Sequence, residues 1–236
     1  AYSYNWGTHQ YSEDEYVESI IQINLNSGET KTVYEIEGKG LGIYNVKSFG
    51  DKVFFIVQET ETSDDKTTLK SHGIYCYNSK DDKVTQVIDS DVNDYYMIDD
   101  DVYYFVNYEG VYRTNIESHE NMLIYPAQDT YNWCELSSDG KYIYINNIKN
   151  IWRSHDREKA GYIVLDRDGS YVNELKCPYA LMMYFGDDKY IFYQGMGKDQ
   201  IMYLSKEDIT GEYEWKNIFE GGVDMINWRT EMGKNK

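Results

Sequence analysis

The residues of this chain that could do chemistry are few and scattered. Three of its four histidines, His9, His72 and His155, fall in polar stretches together with Trp6 and Trp152. Brought together they would form a ligand rim or a transition-metal site. No HxH or HExxH spacing accompanies them, and ligands that close are what a helix or strand presents to one ion, so solvated loop histidines are the simpler reading and no metal or other cofactor is expected. Asp166-Arg167-Asp168-Gly169 places alternate carboxylates before a glycine, as a calcium loop does, but a third acidic ligand and a terminal glutamate do not follow. The same four residues suit a tight turn. Three carboxylates, Asp94, Glu135 and Asp224, sit on segments that read as inner strands. Two of them facing one another would suffice for glycoside hydrolysis. Neither a Ser/His/Asp elbow nor a phosphate loop is present. Aromatic residues open the same segments: Tyr44, Tyr95, Tyr131, Trp133 and Tyr179 could stack on sugar or peptide groups, or be consumed in packing.

What must position these residues is a repeat. SSDGKYIYIN, from Ser137 to Asn146, shares its plan with FGDKVFFIVQ at 49–58, IDDDVYYFVN at 98–107 and FGDDKYIFYQ at 185–194. Each has an acid at its third position (Asp51, Asp100, Asp139, Asp187), then an apolar and aromatic run, then an amide (Gln58, Asn107, Asn146, Gln194). Strand-like segments repeating every 40 to 50 residues or so are the mark of propeller blades. Along the 142–145 run Tyr142 and Tyr144 point one way, Ile143 and Ile145 the other, and both sets are apolar, so each strand must be covered on both faces. Blades stacked around an axis supply that cover.

The chain in order reads as an all-β, five-bladed β-propeller of four-stranded antiparallel blades, one domain over 1–236 with almost no helix. Hairpins are expected around Asn26-Ser27-Gly28, Lys80-Asp81-Asp82, Ser118-His119 and Arg167-Asp168-Gly169, and a final strand over Glu214 to Phe219. The tail has a strand-like segment, Val223 to Trp228, without partners after it, and the head has the opposite defect. Pairing of this C-terminal strand with the N-terminal strands would close the ring and remove its edges; the alternative is a piece of a larger propeller.

Composition narrows the partners. With 41 acidic against 23 basic residues the net charge is −18, which repels phosphate backbones and anionic bilayers, so neither nucleic acid nor membrane insertion is expected. A solvated acidic shell around a monomer is the plain reading. Cys76, Cys134 and Cys177 have no CxxC spacing and read as small apolar residues. No apolar run is long enough to span a bilayer, and the chain opens on Ala1-Tyr2-Ser3 in place of Met and a signal segment. A removed leader would place the protein outside the cytoplasm.

Ser138-Asp139-Gly140-Lys141, followed by an aromatic strand and then by Tyr162 to Ser170, resembles the TolB-like propeller repeats of bacterial extracytoplasmic proteins. It is also similar to uncharacterised bacterial propellers compared with those of the low-density-lipoprotein receptor. The resemblance implies a non-enzymatic binding or scaffold role, secreted or at the cell envelope, and carries over no catalytic residue. The expected contact face is the one bearing the long connections at 6–18, 58–72 and 146–160, where Trp152, Trp133, Tyr95, Tyr131, Tyr44, Tyr179, Trp6 and His72 would meet a protein or carbohydrate. Trp152 is the foremost of them. A five-bladed glycoside hydrolase is the alternative.

Overall fold

A computed structural model describes residues 2–5, 17–63, 66–127, 135–146, 161–177, 180–185, 189–195 and 201–218. Among them the chain is all-β, in antiparallel meanders of the propeller-blade type. The first sheet has three strands, β1 (Tyr2–Asn5), β2 (Val17–Ile23) and β3 (Thr30–Glu37). The second is β4 (Leu41–Phe49), β5 (Lys52–Ser63), β6 (Lys66–Asn78) and β7 (Lys83–Ile88), and the third β8 (Val92–Ile98), β9 (Asp101–Val106), β10 (Gly110–Asn115) and β11 (Asn121–Pro126). The fourth is β12 (Leu136–Ser138), β13 (Tyr142–Asn146), β14 (Gly161–Asp166) and β15 (Tyr171–Lys176). The fifth is β16 (Ala180–Phe185), β17 (Tyr190–Gly195), β18 (Ile201–Ser205) and β19 (Lys216–Asn217). The chain falls into two compact units, 1–123 and 124–236, each taken by itself below.

In the first unit the reading of strands buried on both faces holds residue by residue. On β5, Val53, Phe55 and Val57 join Ile20, Ile43 and Tyr77 in one cluster, while Phe54 and Ile56 turn to a second cluster with Ile74, Val92, Tyr95 and Tyr104. Period-2 alternation thus feeds two cores from one strand. In the second unit Tyr142 and Tyr144 pack with Tyr162, Val164, Leu175, Ile191 and Leu204, and Ile143 and Ile145 are buried on the opposite face. Tyrosine is abundant because a buried ring can still place its hydroxyl on a partner. Tyr95 donates to the Asn45 carbonyl at 2.6 Å, Tyr77 to Asp82 at 3.1 Å and Tyr213 to the Glu174 carbonyl at 3.0 Å. Cys76 and Cys177 are buried thiols, and burial pushes the former up to about 11.

The hairpin ending each third strand uses one device. Asn24, Asn78, Asn115 and Asp166 each accept a backbone N–H two residues on, at 3.0, 3.1, 3.1 and 3.0 Å, and Ser205 does the same for Glu207 at 3.3 Å. These are Asx and Ser turns, which satisfy donors that the ladder has released. Since Asn24 follows β2, strands β1 to β3 match the second, third and fourth strands of the other sheets.

Two expectations change. The connection at 58–72 is not a loop: β5 and β6 run on as a two-stranded arm, in register from Gln58↔Ser71 to Ser63↔Lys66. Threonines alternate there with Glu59, Glu61 and Lys70, and Glu59 lies opposite Lys70, which favours a ladder over a loop. The strand over Glu214 to Phe219 shrinks to Lys216–Asn217, because Ser205 caps a 3-10 helix (Lys206–Thr210) whose Ile209 is buried. The residues between then bond to the edge of β15, where the Trp215 indole donates to the Lys176 carbonyl at 2.9 Å. The closing segment 223–228 lies outside the described residues.

Candidate inner-strand site

Three of the eight residues singled out from the sequence, Tyr44, Tyr95 and His72, lie among the described residues. Trp6, Tyr131, Trp133, Trp152 and Tyr179 lie outside them, as do His9, His155 and Asp224.

The described part of the site is built by β4 and β8, the first strands of two successive sheets. Their bases differ from ideal ladders. The register of β4 shifts between Tyr44 and Lys47, with Asn45 at φ +52°, and that of β8 shifts between Val92 and Asp94. A left-handed non-glycine residue at a bulge turns neighbouring side chains away from the simple alternation, and bulges recur at functional edges. Here the bulges gather Asn45, Lys47, Asp94, Tyr95 and Tyr96. Asp94 Oδ1 accepts from the Asn45 amide and lies 3.4 Å from Lys47 Nζ, which also donates to the Tyr95 carbonyl. The same ammonium stands 4.6 Å from the Tyr95 ring centroid and 5.5 Å from that of Tyr96. Lysine held between a carboxylate and two aromatic faces is fixed without being fully desolvated, for its side chain keeps 32% exposure.

Within this node the aromatics divide. Tyr95 is buried, its ring in the core and its hydroxyl on Asn45, and burial with the neighbouring Asp94 charge pushes its phenol well up. Packing, the alternative reading of a strand-entrance aromatic, is what occupies it. Tyr44, by contrast, is 45% exposed.

The same end of the sheets carries the arm. His72 meets Glu59 at 2.9 Å at its base, Thr60 N donates to Gly40 O at 2.7 Å, and Ser71 N donates to Asp91 at 2.8 Å. Sequence reasoning missed two residues here. Leu69, on the arm, is 64% exposed, and Tyr108, in the turn between β9 and β10, is 74% exposed at φ +62°. A bulky residue in left-handed backbone is uncommon. Leu69 could have been noticed as the one apolar residue in a Thr and Lys stretch; Tyr108 falls in the short Tyr108-Glu109 connection after the decapeptide that ends at Asn107, a position that the sequence reading passed over because the connection is so short.

In the second unit, Asp139 of the repeat is also a built node. Its side chain is 1% exposed, accepts from the Tyr142 and Lys141 amides at 2.8 and 3.0 Å and from the Tyr144 hydroxyl at 3.1 Å, and pairs with Lys206 at 3.2 Å. Burial pushes its carboxyl up, but the two backbone amides and the lysine outweigh it and hold the group below the usual range. Glu135, a proposed hydrolytic carboxylate, is exposed and accepts from Asn146 at 3.4 Å. The Asp166 segment is a turn: Oδ1 accepts from Asp168 N and Ser170 N at 3.0 and 2.8 Å, which spends the oxygen a cation would need. Among the described residues no group of three His, Cys, Asp or Glu could hold a metal ion.

No protein-family model and no curated protein matches the chain. Likeness to solved structures is clear but distant. The acylaminoacyl peptidase of Pyrococcus horikoshii is 11% identical with a TM-score of 0.54, over 76% of this chain and 32% of that one. The N-terminal domain of Nup159 is 9% identical with a TM-score of 0.49, over 86% and 56%. A putative 6-phosphogluconolactonase from Bacteroides fragilis is 13% identical with a TM-score of 0.43, over 92% and 79%. The chain therefore spans 56% of the Nup159 domain and 32% of the peptidase. Such likeness concerns the fold alone, which is all-β and propeller-like.

Proposed function

We propose that the chain is a non-catalytic binding or scaffold module of a secreted or cell-envelope protein, engaging a protein or carbohydrate on the end where the connections between second and third strands emerge. The observation that carries this reading is the β4 and β8 node, where exposed Tyr44 stands one residue from Asn45 at a bulge and near the Lys47–Asp94 pair. An aromatic platform beside fixed amide, ammonium and carboxylate groups matches the recognition chemistry of sugars and peptides. Exposed Tyr108 on the same end adds a second platform. Trp152, Trp133, Trp6, Tyr131 and Tyr179 remain candidates for this contact on the sequence reading alone.

The hydrolase alternative asks Asp94 to trade protons. Its Oδ1 instead accepts from the Asn45 amide and the Tyr95 backbone N–H and lies against the Lys47 ammonium, which fixes the carboxylate in place. That arrangement supports the binding reading.

The test is Tyr44→Ala, Tyr108→Ala and Trp152→Ala on a glycan array and against purified envelope proteins, each with a thermal melt. Binding lost by about tenfold at an unchanged Tm supports the site. Binding kept by all three variants would overturn it. Fractionation of the native host checks the compartment, and recovery in the cytosol alone would count against it.

A further inference from the structure

One exposed residue is held in a backbone conformation that its type resists. Among the described residues five non-glycine residues have left-handed backbone: Asn45, Asp82, Asp99, Tyr108 and His119. Four of them are Asn, Asp or His, the types that this region admits most readily, and Tyr108 at φ +62° is the exception. Packing does not account for it, since Tyr108 is 74% exposed. A bulky residue in strained backbone lowers stability, and one that also buries little gains nothing from the fold, a combination that points to contact outside it.

The turn that carries Tyr108 is tied down on both sides. β9 and β10 close on Val106↔Gly110, which leaves Asn107, Tyr108 and Glu109 at the tip, and Glu109 N donates to the Val106 carbonyl at 3.2 Å. The side-chain amides of Asn107 and Asn93 bond to one another and fasten the tip to β8. Exposed Glu109 accepts from the Tyr112 hydroxyl at 2.7 Å, and the Tyr112 ring stacks on buried Tyr104 with centroids 5.6 Å apart and planes 17° from parallel. The tip therefore presents an aromatic ring and, one residue on, a carboxylate whose direction is fixed from the core.

We propose that the Tyr108–Glu109 turn engages an arginine side chain exposed on a protein partner. This inference rests on the binding-module reading and gives it a partner class. A planar guanidinium both stacks on the Tyr108 ring and pairs with the Glu109 carboxylate, whereas an ammonium makes the ion pair but stacks less well. Tyrosine and arginine are also the types enriched where protein interfaces concentrate their affinity. The tip of a turn suits a protein surface better than a small sugar, which needs a concave bed, and a net charge of −18 draws basic surfaces toward it.

The probe is a labelled, capped Gly-Arg-Gly-Arg-Gly peptide titrated against the full chain by fluorescence anisotropy, with Gly-Lys-Gly-Lys-Gly as its counterpart, in about 150 mM NaCl to screen the general attraction of an acidic surface. The wild type is expected to bind the arginine peptide about fivefold more tightly than the lysine one. Tyr108→Asn should lose about tenfold for the arginine peptide, and the preference with it, at a Tm equal to or above that of the wild type, because asparagine accepts left-handed backbone. Glu109→Gln, whose amide oxygen still accepts from Tyr112, should lose about fivefold at unchanged Tm, and Tyr108→Phe should bind as the wild type does. No binding, equal affinity for the two peptides, or an arginine affinity unmoved by Tyr108→Asn would overturn the proposal, as would a Tm lowered by Tyr108→Asn, which would return the ring to packing. The inner-strand site is tested through Tyr44→Ala on glycans and envelope proteins, so either can fail while the other stands.

Discussion

Asp139 shows how a residue found by its repetition serves the fold rather than a ligand. The acid at the third position of each decapeptide looked like turn chemistry, and part of it is: Asp139 Oδ1 holds two backbone amides of its own turn. The other oxygen reaches Tyr144 and Lys206, so the turn of the fourth sheet is tied to the start of the 3-10 helix in the fifth. Asp100 and Asp51 vary the theme with Lys52 at 3.6 Å and Lys80 at 2.9 Å, both more exposed and worth less. Because the Asp139 carboxyl is held below its ordinary value, its contribution is present above the unfolded value of about 4 and is lost as pH falls through the lower folded one. Asp139→Asn should therefore cost about 1.5–3 kcal/mol at neutral pH, and its deficit against wild type should narrow in melts below about pH 4. A constant deficit from pH 7 to pH 3 would remove the charge from the account.

Elements were legible where period and turn chemistry agreed. The alternation of VFFIV on β5 implied two buried faces, and the structure divides those side chains between two cores. The arm was not legible, because Glu and Lys in a Thr-rich run read equally as a polar loop, and only the pairing of Glu59 with Lys70 across strands resolves it. β19 was misjudged for a related reason: an aromatic segment can pack on a sheet edge without forming a ladder, as Trp215 does beside Tyr193 at 4.7 Å. Of the candidate site, Tyr44 was singled out by its place at the start of a strand, whereas the exposure of Tyr108 depends on a left-handed backbone that composition does not encode. Two substitutions probe this scale. Gly73 has φ +93°, and an added Cβ would stand 1.9 Å from the Ile88 carbonyl oxygen, so Gly73→Ala should destabilise by about 2–4 kcal/mol and drop the Tm sharply. Asn115→Ala, which frees the Glu117 and Ser118 amides in an exposed turn and removes a 2.9 Å bond to Asp101, still paired with Arg113, should cost less, about 1–2 kcal/mol. Denaturant unfolding of both variants orders them, and a larger loss for Asn115→Ala would contradict the geometry.

At the scale of the whole molecule the dominant fact is charge, since 41 acids on a chain of 236 residues leave −18 after the bases are counted. Individual exposed pairs such as Lys80–Asp51 contribute little, and salt weakens them. Repulsion among the unmatched carboxylates acts over longer distances and opposes any compact state, so salt should relieve it more than it loosens the pairs. Between about 10 mM and 150 mM NaCl the Debye length falls from roughly 30 to 8 Å, which cuts the repulsion between neighbouring acidic turns but spares contacts as close as Lys206 and Asp139 at 3.2 Å. The Tm is expected to rise by several degrees over that interval, equivalent to about 1–2 kcal/mol. Sodium sulfate at matched ionic strength should give a further rise through its exclusion from the surface, so NaCl gives the cleaner reading of screening. Calorimetry across the series decides: a Tm that falls with NaCl would mean that surface ion pairs, rather than the excess of acid, govern the electrostatic balance of the fold.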